Sequence, residues 1–343
     1  MVRQEKIYSL QALRFVAALM VIHLHAVEVA VMSSGHTGYL GSGIGILGRA
    51  GVDIFFVISG VIIARTAPGL TASAFMRKRL IRVVPLYLVW CTPKLLIAGV
   101  HHALSWRVLL ATALWPATDR MTASVLGVAW TLSFEMLFYA AAALVLLGGR
   151  TLWGLLLLYA LAFLMRAHGP VFQFLGNPII IEFLAGVAIA YLPGTSRWLG
   201  LSLIAIGATS LIAGAWLLLP PIGDTIDFLL GAEAIPRLAV LGIPATLIVY
   251  GTMQMPLQRG AMTYLGDASY SLYLTHPLIM TIIVSAMQLT AIKAAPDLII
   301  VASIGLSLLF GWRTYELIER PLLDFLRRRK ALVPATSGSA AAP

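Results

Sequence analysis

Ionisable residues, among them Arg14, His23 and His25, interrupt the first long apolar run of the chain. A titratable side chain at membrane depth is costly, so each needs a partner or a task. Arg14 and His25 are eleven residues apart, close to three helical turns. They therefore share one face of a helix, about 16 Å apart along its axis. His23 lies about 200° from His25 around the same axis, on another face, which suits packing or a supporting hydrogen bond. An imidazole in an otherwise apolar helix has the chemistry of a general base.

Two carboxylates are candidates to hold that imidazole in one tautomer. Asp53 stands in Gly51-Val52-Asp53-Ile54-Phe55-Phe56 and Glu135 in Trp130-Thr131-Leu132-Ser133-Phe134-Glu135. Each opens an apolar run that returns from the side on which the first run ends. Both also admit structural roles, Asp53 as a helix cap and Glu135 as the partner of an arginine.

Arg79-Leu80-Ile81-Arg82 places two guanidinium groups at i and i+3, and Arg77 and Lys78 precede it. On a helix such a pair shares a face and can grip one polyanion, such as the phosphates of a coenzyme A donor. The same cluster also reads as an orientation signal with lipid headgroup contact. Further along, Ser269-Tyr270-Ser271-Leu272-Tyr273-Leu274-Thr275-His276-Pro277 sets hydroxyls and a histidine into an apolar run, and Pro277 predicts a kink beside His276. Glu319, in Glu319-Arg320-Pro321, is expected level with Arg14 and able to pair with it. No metal centre is expected, because no two histidines stand at i and i+4 on one helix. The single cysteine, Cys91, excludes an intramolecular disulfide and a cysteine-based metal cluster.

The elements that position these residues follow from composition. Hydrophobic residues make up 60% of the 343 and charged residues 11%, and the mean hydropathy is +0.92. A water-soluble domain of this size needs a more charged exterior. The apolar residues come in continuous runs near the roughly 20 residues that span a bilayer, which predicts helices rather than an alternating barrel. The runs fall at 10–31, 46–65, 83–100, 128–147, 151–167, 178–192, 199–219, 236–251, 269–289 and 298–318. The expected fold is therefore an all-α integral membrane bundle of about ten transmembrane helices.

Orientation follows from where the basic residues lie. Arg3, Lys6, the 77–82 cluster, Arg150, Arg197, Arg259 and Arg327-Arg328-Arg329-Lys330 alternate with Asp224, Asp227, Glu233 and Asp297 on the opposite side. Arg107 and Arg120 are the exceptions. Ten crossings with both termini cytoplasmic satisfy the positive-inside rule. The formal net charge of +10 thus reads as topology, and no nucleic-acid partner is expected, since no basic-aromatic surface is interleaved. The charged and polar interruptions of the first run argue for a retained helix over a cleaved signal peptide. Residues 1–326 are expected to form one transmembrane domain, with a basic stretch and a disordered cytoplasmic tail at 327–343.

With its motifs in order, the chain resembles the integral-membrane acyltransferase family three, which includes acylases of exopolysaccharide and O-antigen. The carriers are Leu10-Gln11-Ala12-Leu13-Arg14 with His25, Gly51-Val52-Asp53-Ile54-Phe55-Phe56-Val57-Ile58-Ser59-Gly60, and the arginines at 79 and 82. Trp130 to Glu135, the 269–277 segment and Glu319-Arg320-Pro321 complete the set, so the resemblance extends from 10 to about 326. It implies transfer of an acyl group, acetyl by family habit, from cytoplasmic acyl-coenzyme A to a sugar hydroxyl at the outer face. It also implies the bacterial inner membrane as location, and coenzyme A as co-substrate with no permanently bound cofactor. Arg14 and His25 match the family's arginine–histidine pair, Arg79 and Arg82 its double-arginine motif, and Glu319 its acidic position. The opening Ile7-Tyr8-Ser9-Leu10-Gln11 looks most like the exopolysaccharide-acetylating branch. An esterase-like domain often fused in the family has no counterpart in this sequence, so a second transfer step would need a separate periplasmic or polysaccharide-assembly partner.

Joining a thioester to an alcohol requires a base for the alcohol and stabilisation of the oxyanion. The expected arrangement has His25 as base, Asp53 or Glu135 holding it, and Arg14, Arg79, Arg82, His276 and Glu319 around the donor or substrate. A covalent acyl-histidine relay is a variant of it. The rival class is a polytopic transporter or flippase, which would move a glycan or small solute intact and form no ester.

Overall fold

The computed structural model describes residues 7–43, 45–117, 121–148, 152–218, 225–232, 234–290 and 293–328. The expectations that rest on Arg3, Lys6, Arg120, Arg150, Asp224, Glu233, Arg329, Lys330 and the tail at 331–343 lie outside these residues. Among the described residues every regular element is helical. The principal helices are α1 (Tyr8–Ser34), α2 (Ala50–Thr66), α3 (Ala72–Val100), α4 (Trp130–Leu147) and α5 (Leu152–Leu164). After them come α6 (Ile180–Ala190), α7 (Arg197–Leu218), α8 (Ile243–Met253), α9 (Ser269–Thr290), α10 (Pro296–Thr314) and α11 (Arg320–Arg328).

Nine helical segments among the described residues are long and apolar enough to cross a membrane. They coincide with nine of the ten expected runs. The remaining run, expected at 151–167, contains α5, a helix of only 13 residues. At about 1.5 Å per residue it is shorter than a bilayer core.

One boundary moves in a way that matters for function. Hydropathy rises at 83 and predicts the start of the third span there, yet α3 begins at Ala72. The hydroxyl of Thr71 accepts the Ala74 N–H at 3.3 Å and caps the helix at that point. Hydropathy does not register charged turns, so it assigns the basic cluster to a connection. The cluster instead forms the first turns of α3, and Arg79 and Arg82 stand one turn apart on a rigid helix.

The centre of the bundle is the span built on α2. Of the Leu47–Thr66 span 78% is buried, against 22% of the Ala72–Val100 span. α2 packs most extensively on α6, and glycines allow it: a Cβ at Gly60 would lie 3.0 Å from the Cα of Gly186. In lipid, where no hydrophobic force joins helices, this close backbone approach supplies much of the packing attraction. α1 runs beside α2, α9 and α10 and ends at Gly35, whose φ of +77° lets its N–H close on the Val31 carbonyl at 2.8 Å.

Two π-helical turns interrupt the α geometry, Leu238–Gly242 before α8 and Tyr315–Glu319 between α10 and α11. Each adjoins or contains a residue of a buried ion pair, Arg237 in the first case and Glu319 in the second. A π turn inserts one residue and rotates the next helical turns by about 100°, which re-aims side chains without ending the helix. α9 continues through Pro277 without a break. The missing N–H at Pro277 leaves the Tyr273 carbonyl without its helical donor, one turn below His276.

Candidate active site

Five of the long helices and α11 enclose a cavity of about 340 Å³ near the end of the bundle where α1 begins. α1 contributes Gln11 and Arg14, and α3 contributes Lys78, Arg79 and Arg82. Arg327 reaches in from α11. Glu135 and Tyr139 of α4 form one wall, Phe55, Phe56 and Ser59 of α2 another, and Tyr270 and Tyr273 of α9 a third. A second space of about 330 Å³ adjoins it, sharing Gln11, Arg14, Arg82 and Arg327 and adding Asp267, Tyr315 and Arg320. Cations therefore stand around the junction of two chambers, the electrostatic setting for a ligand with several negative charges.

The basic residues are held differently. Arg79 donates to the Thr66 hydroxyl and lies over the rings of Phe75 and Tyr139, at 5.4 and 5.5 Å. Arg82 pairs with Glu319, donates to the Asp267 carbonyl at 3.4 Å and lies 5.9 Å over the Tyr270 ring. Glu319, 1% exposed, also accepts the Ser271 hydroxyl at 2.6 Å. The expected Arg14–Glu319 pair is thus not the one formed. The π turn re-aims Glu319 toward α3, and Arg14 keeps a long 3.5 Å bond to Gln11 Oε1 on its own helix. Arg14 is left facing the cavity with donors to spare.

Glu135 faces the cavity too. It accepts the Tyr139 hydroxyl, one turn away on α4, and the Ser59 hydroxyl at 3.3 Å from α2. Asp53 is fully buried and turned elsewhere, into a two-pronged bond with Arg237 at 3.0 and 2.6 Å. Arg237 also donates to the Arg49 carbonyl at 3.2 Å and lies 5.4 Å over the Phe228 ring. Asp53 thereby ties α2 to the start of the Ala234–Met253 span that contains α8.

His25 is partnered by neither carboxylate. Its Nδ1 lies 2.9 Å from the Val21 carbonyl and 3.4 Å from Nε2 of His276, and the two rings are 5.0 Å apart. His276 is completely buried. Tyr273 separates this pair from the cavity: it lines the cavity, its ring stands 5.9 Å from His276, and its hydroxyl meets Thr131 at 2.9 Å. His23 fills the supporting role expected of it, holding the Leu40 carbonyl at 2.9 Å. Among the described residues no group of three His, Cys, Asp or Glu side chains could hold a metal ion.

Arg14, Arg79, Arg82 and Glu135 therefore meet at one cavity, with Glu319 directly behind Arg82. His25 and His276 form a second group beyond Tyr273, and Asp53 belongs to a third. Residues 7–316 match the acyltransferase domain family. The chain belongs to that family. It is an acyltransferase embedded in a membrane by its many apolar helices. Among related sequences, the exopolysaccharide production protein ExoZ of Rhizobium meliloti is 32% identical over 310 residues. That alignment covers 83% of this chain and 92% of ExoZ. The acyltransferase MdmB of Streptomyces mycarofaciens is 23% identical over 384 residues, covering 97% and 96% of the two chains. No solved structure matches the chain.

The bundle also holds functional or structural polar residues that the amino-acid order had not singled out. Arg237 and Glu182 are charged residues inside the apolar runs at 236–251 and 178–192, so the criterion that singled out Arg14 would have found both. Tyr139 carried no such signal, since tyrosines are common in apolar helices and only its position against Glu135 gives it a role, while Tyr273 stood out only as one hydroxyl of the 269–277 segment.

Proposed function

We propose that this chain transfers an acyl group, acetyl in the first instance, from coenzyme A to a hydroxyl of an exported glycan at the bacterial inner membrane. The observation that carries the reading is the convergence of Arg14, Lys78, Arg79, Arg82 and Arg327 on one cavity that leads toward Tyr273 and the histidine pair. A nucleotide with several phosphates fits such a setting better than a neutral solute does. The name of the Rhizobium relative supports an exported polysaccharide as acceptor.

The donor's phosphates bind among the arginines, and its pantetheine arm lies along the aromatic wall of Phe55 and Phe56 toward Thr131 and Tyr273. His25 removes the proton of the acceptor hydroxyl as its oxygen bonds to the thioester carbonyl carbon. The tetrahedral intermediate collapses with cleavage of the C–S bond. The thiolate leaves and takes up the proton that His25 holds, so charge and atoms balance and the base is regenerated. Arg14, on the face of α1 that carries His25, keeps the donor in register with it.

The test uses inside-out membrane vesicles supplied with acetyl-coenzyme A labelled in the acetyl group. Label is expected in alkali-labile esters of envelope glycan with the wild type and not with His25→Ala at equal expression. Full transfer by His25→Ala would remove His25 from the chemistry. Absence of both label and coenzyme A release from the wild type would remove this donor.

A further inference from the structure

The hydrogen bonds around His25 fix which of its nitrogens carries the hydrogen. A carbonyl oxygen only accepts, so the 2.9 Å approach of Nδ1 to the Val21 carbonyl requires an N–H at Nδ1. The same rule applies at His276, whose Nδ1 lies 3.3 Å from the Leu272 carbonyl. In the neutral ring its Nε2 then has a lone pair, directed at His25 Nδ1 from 3.4 Å. The reverse arrangement, with His276 donating, would set a lone pair of His25 against the Val21 carbonyl oxygen. One hydrogen is therefore shared: His25 Nδ1–H points between the Val21 carbonyl and His276 Nε2. Nε2 of His25 is left as the basic nitrogen, without a hydrogen-bond partner among the described residues.

We infer that His276 is the positioning residue of the catalytic base, a buried neutral acceptor that holds His25 in the Nδ1–H tautomer and presents Nε2 for reaction. This rests on the reading of His25 as the base. In many enzymes a carboxylate fills that place; here Asp53 is committed to Arg237 and Glu135 to Tyr139 and Ser59. A second imidazole does the same task without placing another charge at membrane depth. When His25 Nε2 takes the acceptor's proton, the Nδ1–H bond becomes charge-assisted and strengthens toward His276 Nε2 and the Val21 carbonyl. His276 can do this only because α9 brings it against α1 across 251 positions of sequence.

Two measurements on the full-length protein in lipid nanodiscs test the inference. The first is ¹⁵N NMR of histidine-labelled protein, with His25→Ala used to assign the His25 signals. The expected result is a protonated Nδ1 and an unprotonated Nε2 at His25; the opposite tautomer would overturn the inference whether or not His25 is the base. The second compares His276→Gln, whose side-chain oxygen can accept from His25, with His276→Leu, which cannot. Loss of the partner that orients a metal-bound histidine costs about 10–100-fold, and a loss of that order is expected for this metal-free pair. His276→Leu is expected to lose that much in kcat with the donor KM unchanged, and His276→Gln to retain most of it. Equal rates for the two variants, or a change confined to KM, would reduce His276 to a packing residue. If instead His25→Ala kept full activity, the base reading would fail, and the NMR result would still decide the pairing.

Discussion

The Asp53 carboxylate is held by Arg237 through two hydrogen bonds, Nε to Oδ1 at 3.0 Å and Nη2 to Oδ2 at 2.6 Å, across 184 positions of sequence. Both groups are buried, and both lie away from the cavity. Removing one partner leaves an uncompensated charge, at a cost of about 3–5 kcal/mol. Asp53→Ala and Arg237→Ala are each expected to lower thermal stability in detergent by that order. The double replacement Asp53→Leu with Arg237→Met should recover most of the loss. A normal melting temperature for Asp53→Ala would show that the pair does not hold α2 to the Ala234–Met253 span.

Glu182, on α6, is fully buried, with its carboxyl group against that of Asp53. Two carboxylates sharing one buried site repel when both are ionised, a cost that a neutral amide removes. Glu182→Gln is therefore expected to melt at or above the wild-type temperature with donor KM unchanged. A large loss of transfer with intact stability would instead give Glu182 a part in the reaction.

Arg79 and Arg82 should separate in their effects. A hydrogen bond to a charged group contributes about 1.5–3 kcal/mol, so loss of one donor contact raises KM by roughly 10–150-fold. Arg79→Ala is expected to raise the KM for acyl-coenzyme A by that order with little change in melting temperature. Arg82→Ala should raise KM and also lower stability, because it strands Glu319 in a buried position. Adding Glu319→Gln to Arg82→Ala should restore the melting temperature and leave KM high. Steady-state kinetics with thermal melts distinguishes the two.

Gly60 and Gly186 bring α2 and α6 into backbone contact. Forcing a methyl group into a tightly packed contact costs about 1–3 kcal/mol. Gly60→Ala and Gly186→Ala are each expected to lower the melting temperature, while Gly127→Ala, with open space around it, should not. Parallel melts of the three variants provide the comparison.

The solvent and the helices were legible in the amino-acid order alone. Continuous apolar runs admit only helices in lipid, because every backbone polar group must be satisfied within its own segment. That constraint is local, so hydropathy places nine spans, and it finds α5 while overestimating its length. It also makes Arg14, His25, Glu135 and Glu319 stand out as costly residues with tasks. Hydropathy fails at the start of α3, where a capped helix is charged and its signal is in Thr71 rather than in apolar content.

The pairings, by contrast, were settled by the packed bundle. Glu319 meets Arg82 instead of Arg14 because a π turn, which has no composition signature, rotates it. Asp53 meets Arg237, and His25 meets His276, because α2 and α1 lie against particular neighbours in the bundle. Periodicity fixes which residues share a face of one helix. Which face of another helix it meets depends on packing, on glycine contacts such as Gly60 with Gly186, and on the register in which distant segments cross.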